Sequence, residues 1–338
     1  MMNVIGIESS CDETSVAVIS DELLTANLIS SQDFHVKYGG VVPELSSRAH
    51  LQIVLPLIKD ALELSKISLA DIDVICATAG PGLIGALLVG LTFAKGLAYS
   101  LNKPFVPVNH IEGHVYSGFL MPEKPEFPML AIVVSGGHTL LLLVKSFTEI
   151  QKLGSTVDDA AGEAFDKVAK MLGFEYPGGP KIQKAAELGN KETVIFPVAD
   201  LKDPYNFSFS GLKTSVLRYV QKNFKDNIIP DEQKNNISAS FQDAVIRAIT
   251  RNVERALRNY KIKSLTLVGG VAANQPIRSA LTSLAEKHNK KIIIPDMQFC
   301  GDNAAMIAFR GLKLFESGKR FDLNYNPFPG IPENHFTS

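Results

Sequence analysis

Apolar positions along the chain fall into two patterns, short buried-type runs bounded by turn residues and longer stretches of period 3.6, and their succession predicts an α/β protein. Val4 to Ile7, Ser15 to Ser20, Val74 to Ala79, Phe105 to Val108, Met129 to Val134, Thr139 to Val144, Leu265 to Val268 and Lys291 to Pro295 read as strands. Helical spacing runs through Glu44 to Leu64, from the Gly80–Gly85 loop to about Leu101, and through Val157 to Leu172. It returns from Gly211 to about Phe224, from about Glu232 to Tyr260, from about Pro276 onward, and from Ala304 to Phe315. From Asn324 the tail is proline-rich and reads as irregular.

Pro122-Glu123-Lys124-Pro125-Glu126-Phe127-Pro128 breaks both patterns and marks a boundary. The expected halves are residues 1–121 and 129–300, with residues 301–320 a helix returning to the first half. Each half opens on a strand, a polar or glycine turn and a second strand, at residues 4–20 and 129–144, the mark of an internal duplication. A chain of 338 residues with 46% hydrophobic content suits two folded cores.

Charge and cysteine content narrow the class. With 34 basic and 35 acidic residues the net charge is −1, which excludes a generic electrostatic nucleic-acid binder but not an RNA held by a local patch or a partner. There is no Trp, and 8% aromatic content offers no obvious base-stacking platform. Cys11, Cys76 and Cys300 lack metal-finger spacing and a disulfide framework. No basic leader precedes the first strand, and the Ile84–Ala98 run is short and broken by glycines and Lys95, so a cytoplasmic chain with no membrane role is expected.

The chemistry centres on His110-Ile111-Glu112-Gly113-His114. Residues four apart on a helix share a face, so the two imidazoles form a clamp for a transition metal, with a satisfied or solvent-facing pair as the alternative. Asp302, in a loop entering the apolar helix from Ala304, is the best third ligand, and two His with one carboxylate leave coordination positions open. The order H-x-E-x-H is not the zincin H-E-x-x-H.

Glu8-Ser9-Ser10-Cys11-Asp12-Glu13-Thr14 makes a polar turn rich enough to surround a phosphate or a phosphate-bound cation, or else an ordinary acidic turn. Ser135-Gly136-Gly137-His138 permits close backbone approach to an anion. Asp159, Glu163 and Asp166 recur at helical spacing, and Asp166 precedes Tyr176-Pro177-Gly178-Gly179-Pro180, read as a rigid turn able to meet a ligand. Gly269-Gly270-Val271-Ala272-Ala273-Asn274 lies between a strand and a helix, as a nucleoside site would. Neither dinucleotide nor P-loop fingerprints occur, and the glycines at 80, 82 and 85 suit close helix–strand packing. Two halves opened by such turns predict a two-domain actin-like or sugar-kinase-like architecture of duplicated ribonuclease H-like halves, with a nucleotide in an interdomain cleft.

These stretches, with Gly162-Glu163-Ala164-Phe165-Asp166-Lys167 and Cys300-Gly301-Asp302-Asn303, appear in order, and together the chain resembles the universal tRNA threonylcarbamoyltransferase family from residue 3 to about 317. That family was once described as O-sialoglycoprotein endopeptidases. The resemblance implies an actin-like ATPase fold and transfer of threonylcarbamoyl from threonylcarbamoyl-AMP to N6 of adenosine 37 in tRNAs that read codons beginning with A. It implies that His110, His114 and Asp302 hold Fe(2+) or Zn(2+), one ion per subunit. Val134, Ser135, Gly136, Gly137 and His138 would lie by the phosphate and acyl group, and Asp166, Gly179 and Asn274 by the adenosine of the adenylate. Asp12 and Glu13 would lie near the reacting carbonyl, with Asp12, or alternatively His138, handling the proton. Gln183 stands where relatives carry an Asp toward the ribose. Implied partners are the tRNA, a paralogous dimerisation subunit and a small ATPase, with a separate synthase making the adenylate. The rival readings are a metallo-endopeptidase and a phosphotransferase or chaperone of the actin-like superfamily.

Overall fold

The computed structural model describes residues 2–331 and 335–336. Two compact units emerge: residues 1–124, 147–149 and 295–337 form the first, and residues 125–146 and 150–294 form the second.

The first unit is built on a five-stranded sheet ordered β3-β2-β1-β4-β5. Its strands are β1 (Asn3–Glu8), β2 (Glu13–Ser20), β3 (Leu23–Ser31), β4 (Val74–Gly80) and β5 (Phe105–Asn109). β1, β2 and β3 form an antiparallel meander, while β4 and β5 run parallel to β1. Ile5 and Ile7 face the helices α1 (Pro43–Ser65) and α2 (Ile84–Leu101), packing with Val54, Ile58, Leu91 and Ala94. Alternation along the strand turns Gly6 to the other face. There a Cβ would come within 2.7 Å of the Ala304 carbonyl and the Ala308 nitrogen, so the late helix lies flush against the sheet. Gly80, Gly82 and Gly85 are pressed against Phe328, Ser10 and Ser47, so these glycines serve close packing, but against the tail, the β1–β2 turn and α1 instead of between helix and strand. By length and composition α2 is apolar enough to cross a membrane, a more continuous run than the sequence reading allowed. Its Leu87, Leu91, Ala94 and Ala98 are spent on the core.

The second unit repeats the plan. Its sheet is ordered β10-β9-β6-β7-β8, from β6 (Met129–Val134), β7 (Thr139–Val144), β8 (Ile150–Ser155), β9 (Ser264–Val268) and β10 (Lys291–Ile293). β6, β7 and β8 are again an antiparallel meander, with β9 and β10 parallel to β6. Read from the meander edge, the two sheets share one strand order, so the expected duplication is present in the topology.

The remaining helices are α3 (His110–Tyr116), α4 (Ala161–Met171), α5 (Gly178–Ala186), α6 (Ser210–Asn223), α7 (Asp231–Asn259), α8 (Gln275–Lys287), the single turn α9 (Met297–Cys300) and α10 (Ala304–Glu316). Two expectations are corrected. α4 begins after Asp159, which therefore does not share a helical face with Glu163 and Asp166; its carboxylate bridges Lys167 and Lys213 instead. Gly178, Gly179 and Pro180 are not a free turn but the first turn of α5.

Candidate metal centre

β5 ends at Asn109, whose side-chain oxygen accepts hydrogen bonds from the backbone nitrogens of Ile111 and Glu112 and so starts α3 at His110. A short helix with both histidines buried on it follows from that cap, as the spacing predicted. α10 fixes the third residue in the same way: Asn303 caps it by accepting from the Met306 nitrogen, and Asp302 lies one residue earlier. The two helix starts face each other because Gly113 lets α3 settle against Met306 and Ile307 of α10.

One ligand atom from each of His110, His114 and Asp302 lies within 4.8 Å of the others. Two donors about 2.1 Å from one ion stand about 3.0 Å apart at a right angle and about 3.4 Å apart at a tetrahedral angle. Asp302 Oδ1 is 3.4 Å from His110 Nε2 and 3.1 Å from His114 Nε2, so the donor set fits a transition metal.

The surroundings favour a cation as well. Behind His110, Nδ1 meets Glu8 Oε2 at 3.1 Å and Ser10 Oγ at 3.2 Å. A carboxylate on that nitrogen holds a hydrogen there and turns the Nε2 lone pair toward Asp302, the usual outer partner of a ligating histidine. Glu8 is itself wholly buried and accepts from the Ser10 nitrogen and from Thr78 Oγ1 at 2.6 Å. Burial opposes its charge, but His110 and, to a lesser degree, Ser10 hold its carboxyl below the ordinary value. Burial also disfavours an imidazolium at His110, yet Asp302 and Glu8 on its two sides raise its pKa well above that of an ordinary histidine. Burial and the carboxylates of Asp302 and Asp12 push Glu13 up to about 9. A site this rich in buried carboxylates retains protons that a metal ion would displace. Among the described residues nothing meets His114 Nδ1.

Glu112 points elsewhere. Its carboxylate is bound by the Arg310 guanidinium at 2.5 and 2.6 Å and by His335 at 2.8 Å, and Arg310 also donates to the Phe147 carbonyl. Burial opposes this charge, but Arg310 holds the Glu112 carboxyl down at about 2. So occupied, it anchors α3 and cannot act as the base for a metal-bound water. Burial raises the Cys11 and Cys76 thiols, which excludes a ready thiolate.

In the second unit the β6–β7 turn is closed by the Ser135 nitrogen donating to the His138 carbonyl and the His138 nitrogen donating to Ser135 Oγ. Gly136 and Gly137 have open space beside them. Val134 is wholly buried at the end of β6, and the chain becomes accessible from Ser135 onward. Asp166 Oδ1 accepts from the Gly178 nitrogen at 2.8 Å, and a Cβ on Gly178 would strike Ala169, whereas Gly179 faces open space. Of the two glycines, then, Gly178 serves packing. Asn274 caps α8 through the Ile277 nitrogen and donates to Gln242, so one amide hydrogen is left for a ligand. Gln183 accepts from the Gln275 nitrogen at the same helix start.

Residues 22–309 match the family model described as tRNA N6-adenosine threonylcarbamoyltransferase. The chain is similar to the protein of that name from Thermosipho africanus, 50% identical over 98% of this chain and 99% of the relative. It is likewise 46% identical to that of Symbiobacterium thermophilum, over 97% of this chain and 96% of the relative. The chain belongs to the tRNA N6-adenosine threonylcarbamoyltransferase family. Its fold is the actin-like ATPase fold: HypF from T. kodakarensis superposes with a TM-score of 0.65 at 16% identity, over 94% of this chain and 48% of that one. Component A of the Acidaminococcus fermentans (R)-2-hydroxyglutaryl-CoA dehydratase gives 0.53 at 16% identity, over 94% and 100%. Family membership and the engaged Glu112 both disfavour the peptidase alternative.

Proposed function

We propose that this chain transfers the threonylcarbamoyl group of threonylcarbamoyl-AMP to N6 of adenosine 37 in tRNAs that read codons beginning with A. The observation that carries the reading is family membership along nearly the whole chain, joined to a buried His–His–Asp donor set in its first unit.

His110, His114 and Asp302 would hold one iron or zinc ion. When bound, it would supply Lewis acidity to phosphate or acyl oxygens and fix their orientation. The chain's own groups do the rest. Gly136 and Gly137, which carry no side chain and have open space where a Cβ would stand in the Ser135–His138 turn, let the backbone approach the adenylate phosphate and the charge developing on the carbonyl. Asp166, Gly179 and the remaining amide hydrogen of Asn274 suit its adenosine part. The N6 amine forms the new C–N bond, the carbonyl–phosphate bond breaks, and AMP leaves. AMP is a good leaving group, so positioning matters more than a strong nucleophile. Asp12 takes the amine proton, with His138 the alternative.

Assembly with a paralogous dimerisation subunit and a small ATPase, in the cytoplasm, belongs to the same proposal. Leu51 and Leu55 on α1 and Ile84 and Leu88 on α2 are exposed at helical spacing, an apolar stripe that supports a helical partner. The test incubates the purified chain with threonylcarbamoyl-AMP and unmodified tRNA, with and without partners, and measures the modified nucleoside. Product is expected and should vanish in His110→Ala. No product with partners present, alongside peptide cleavage, would overturn the reading.

A further inference from the structure

The histidine at position 50 lies outside the metal set, yet it is wholly buried and both ring nitrogens are engaged by the acidic turn between β1 and β2. Nε2 stands 3.1 Å from the Cys11 carbonyl and 3.1 Å from Ser46 Oγ. Nδ1 stands 2.7 Å from Thr14 Oγ1. Gln32 Nε2 also stands 3.5 Å from Nε2, but the closer Cys11 carbonyl offers no proton, which assigns the hydrogen to Nε2 and leaves Nδ1 to accept from the Thr14 hydroxyl. Burial lowers the pKa of His50, in keeping with a neutral ring of this single tautomer. The Cys11 carbonyl also accepts from Ser46 Oγ at 2.5 Å.

The ring thus grips the residue before Asp12 and the residue after Glu13. Its anchorage is deep. Ser46 and His50 lie one turn apart on α1. The Ser46 carbonyl accepts from Gln32 Nε2, Gln32 Oε1 accepts from His35 Nε2 at 2.9 Å, and His35 Nδ1 accepts from the Val42 nitrogen at 3.2 Å, just before that helix starts. The sequence marks neither histidine as part of the chemistry. The turn lies beside other buried acidic groups, and a neutral clamp on both flanks fixes its backbone without adding charge.

We propose that His50 is the positioning residue of the acidic turn, fixing Asp12 and Glu13 from α1 by holding the Cys11 carbonyl and the Thr14 hydroxyl together. The catalytic consequence rests on the reading above that Asp12 handles the proton; the clamp itself does not.

Two readouts separate the two. Hydrogen exchange of a peptide spanning residues 8–14 should speed up in His50→Asn and, more mildly, in Thr14→Val, which loses only the hydroxyl, while the rest of the first unit exchanges as before. In the transfer assay with partners, both variants should lose about tenfold in kcat, the scale of one hydrogen bond, with KM for the adenylate unchanged. Placed in an Asp12→Asn background, His50→Asn should cost nothing further, since positioning matters only while the positioned group is present. Unchanged exchange of the turn in both variants overturns the clamp. A loss in the double variant equal to the product of the single losses overturns its action through Asp12. Should Asp12→Asn turn over normally, the proton assignment falls while the exchange data still decide the clamp.

Discussion

Glu112 offers a sharp test because two chemistries assign it opposite roles. As a metallopeptidase base it would be dispensable for folding and essential for turnover. In the structure it is a buried anchor: Arg310, itself 3% exposed, grips it at 2.5 Å, lies over the Tyr116 ring at 4.5 Å and donates to Phe147. Glu112→Gln keeps the shape and removes the charge, leaving a guanidinium buried without its anion. Breaking such a pair from one side costs about 3–5 kcal/mol. The titration of the carboxyl agrees, since a group held at about 2 instead of 4.5 contributes on the order of 3 kcal/mol at neutral pH. Because its folded value is the lower one, that contribution is present above pH 4.5 and is lost as pH falls toward 2. Urea unfolding at pH 7 should show a loss of about 3 kcal/mol in Glu112→Gln and a similar loss in Arg310→Met. The double variant, with no stranded charge, should lose less than the sum of the two. Turnover per folded molecule in Glu112→Gln should stay within about threefold of the parent, as expected of a residue that does not touch the reacting atoms. Unchanged stability with abolished turnover would refute the anchor and restore a catalytic role.

Other consequences are quicker to check. The iron or zinc proposed for the His–His–Asp set should be found in the purified protein by elemental analysis and be missing from His110→Ala, with far-UV dichroism unchanged. In metal-free protein His110 and Glu13 keep protons that the unfolded chain has lost, so stability should fall as pH rises from about 5 to about 9. Adding Fe(2+) or Zn(2+) should flatten that slope and release protons on binding, measurable by calorimetry in two buffers of different ionisation heat. Gly178→Ala should destabilise by about 1–3 kcal/mol, because its Cβ would lie 2.4 Å from that of Ala169. Gly179→Ala has open space and should leave the melting temperature unchanged while raising KM for threonylcarbamoyl-AMP.

Local features were legible and distant ones were not. The α3 histidine pair follows from spacing alone, and both sheet-opening hairpins follow from short apolar runs set on either side of a polar or glycine turn. β3 escaped because it alternates poorly, with Leu23 71% exposed at its start, and β8 because it is an edge strand carrying the exposed Lys152. Asp159 was misplaced onto a helix because its carboxylate serves two lysines, a partnership that leaves no periodic trace. Glu8 behind His110 is 102 residues away in sequence and Arg310 is 198 residues from Glu112. No local pattern encodes such pairs. The order of motifs along the chain exposed the family, but it could not tell that Gly178 serves packing or that Asn274 spends its amide oxygen on a helix start.

The return of residues 295–337 to the first unit has a consequence for synthesis. A ribosome makes the first sheet, α1, α2 and both histidines long before Asp302 and α10 emerge. Until then the face of β1 that holds Gly6 lacks its cover and the donor set lacks its carboxylate. The nascent chain therefore cannot close its first core while the second unit is being translated, and the donor set proposed for a metal is complete only once Asp302 and α10 have been made.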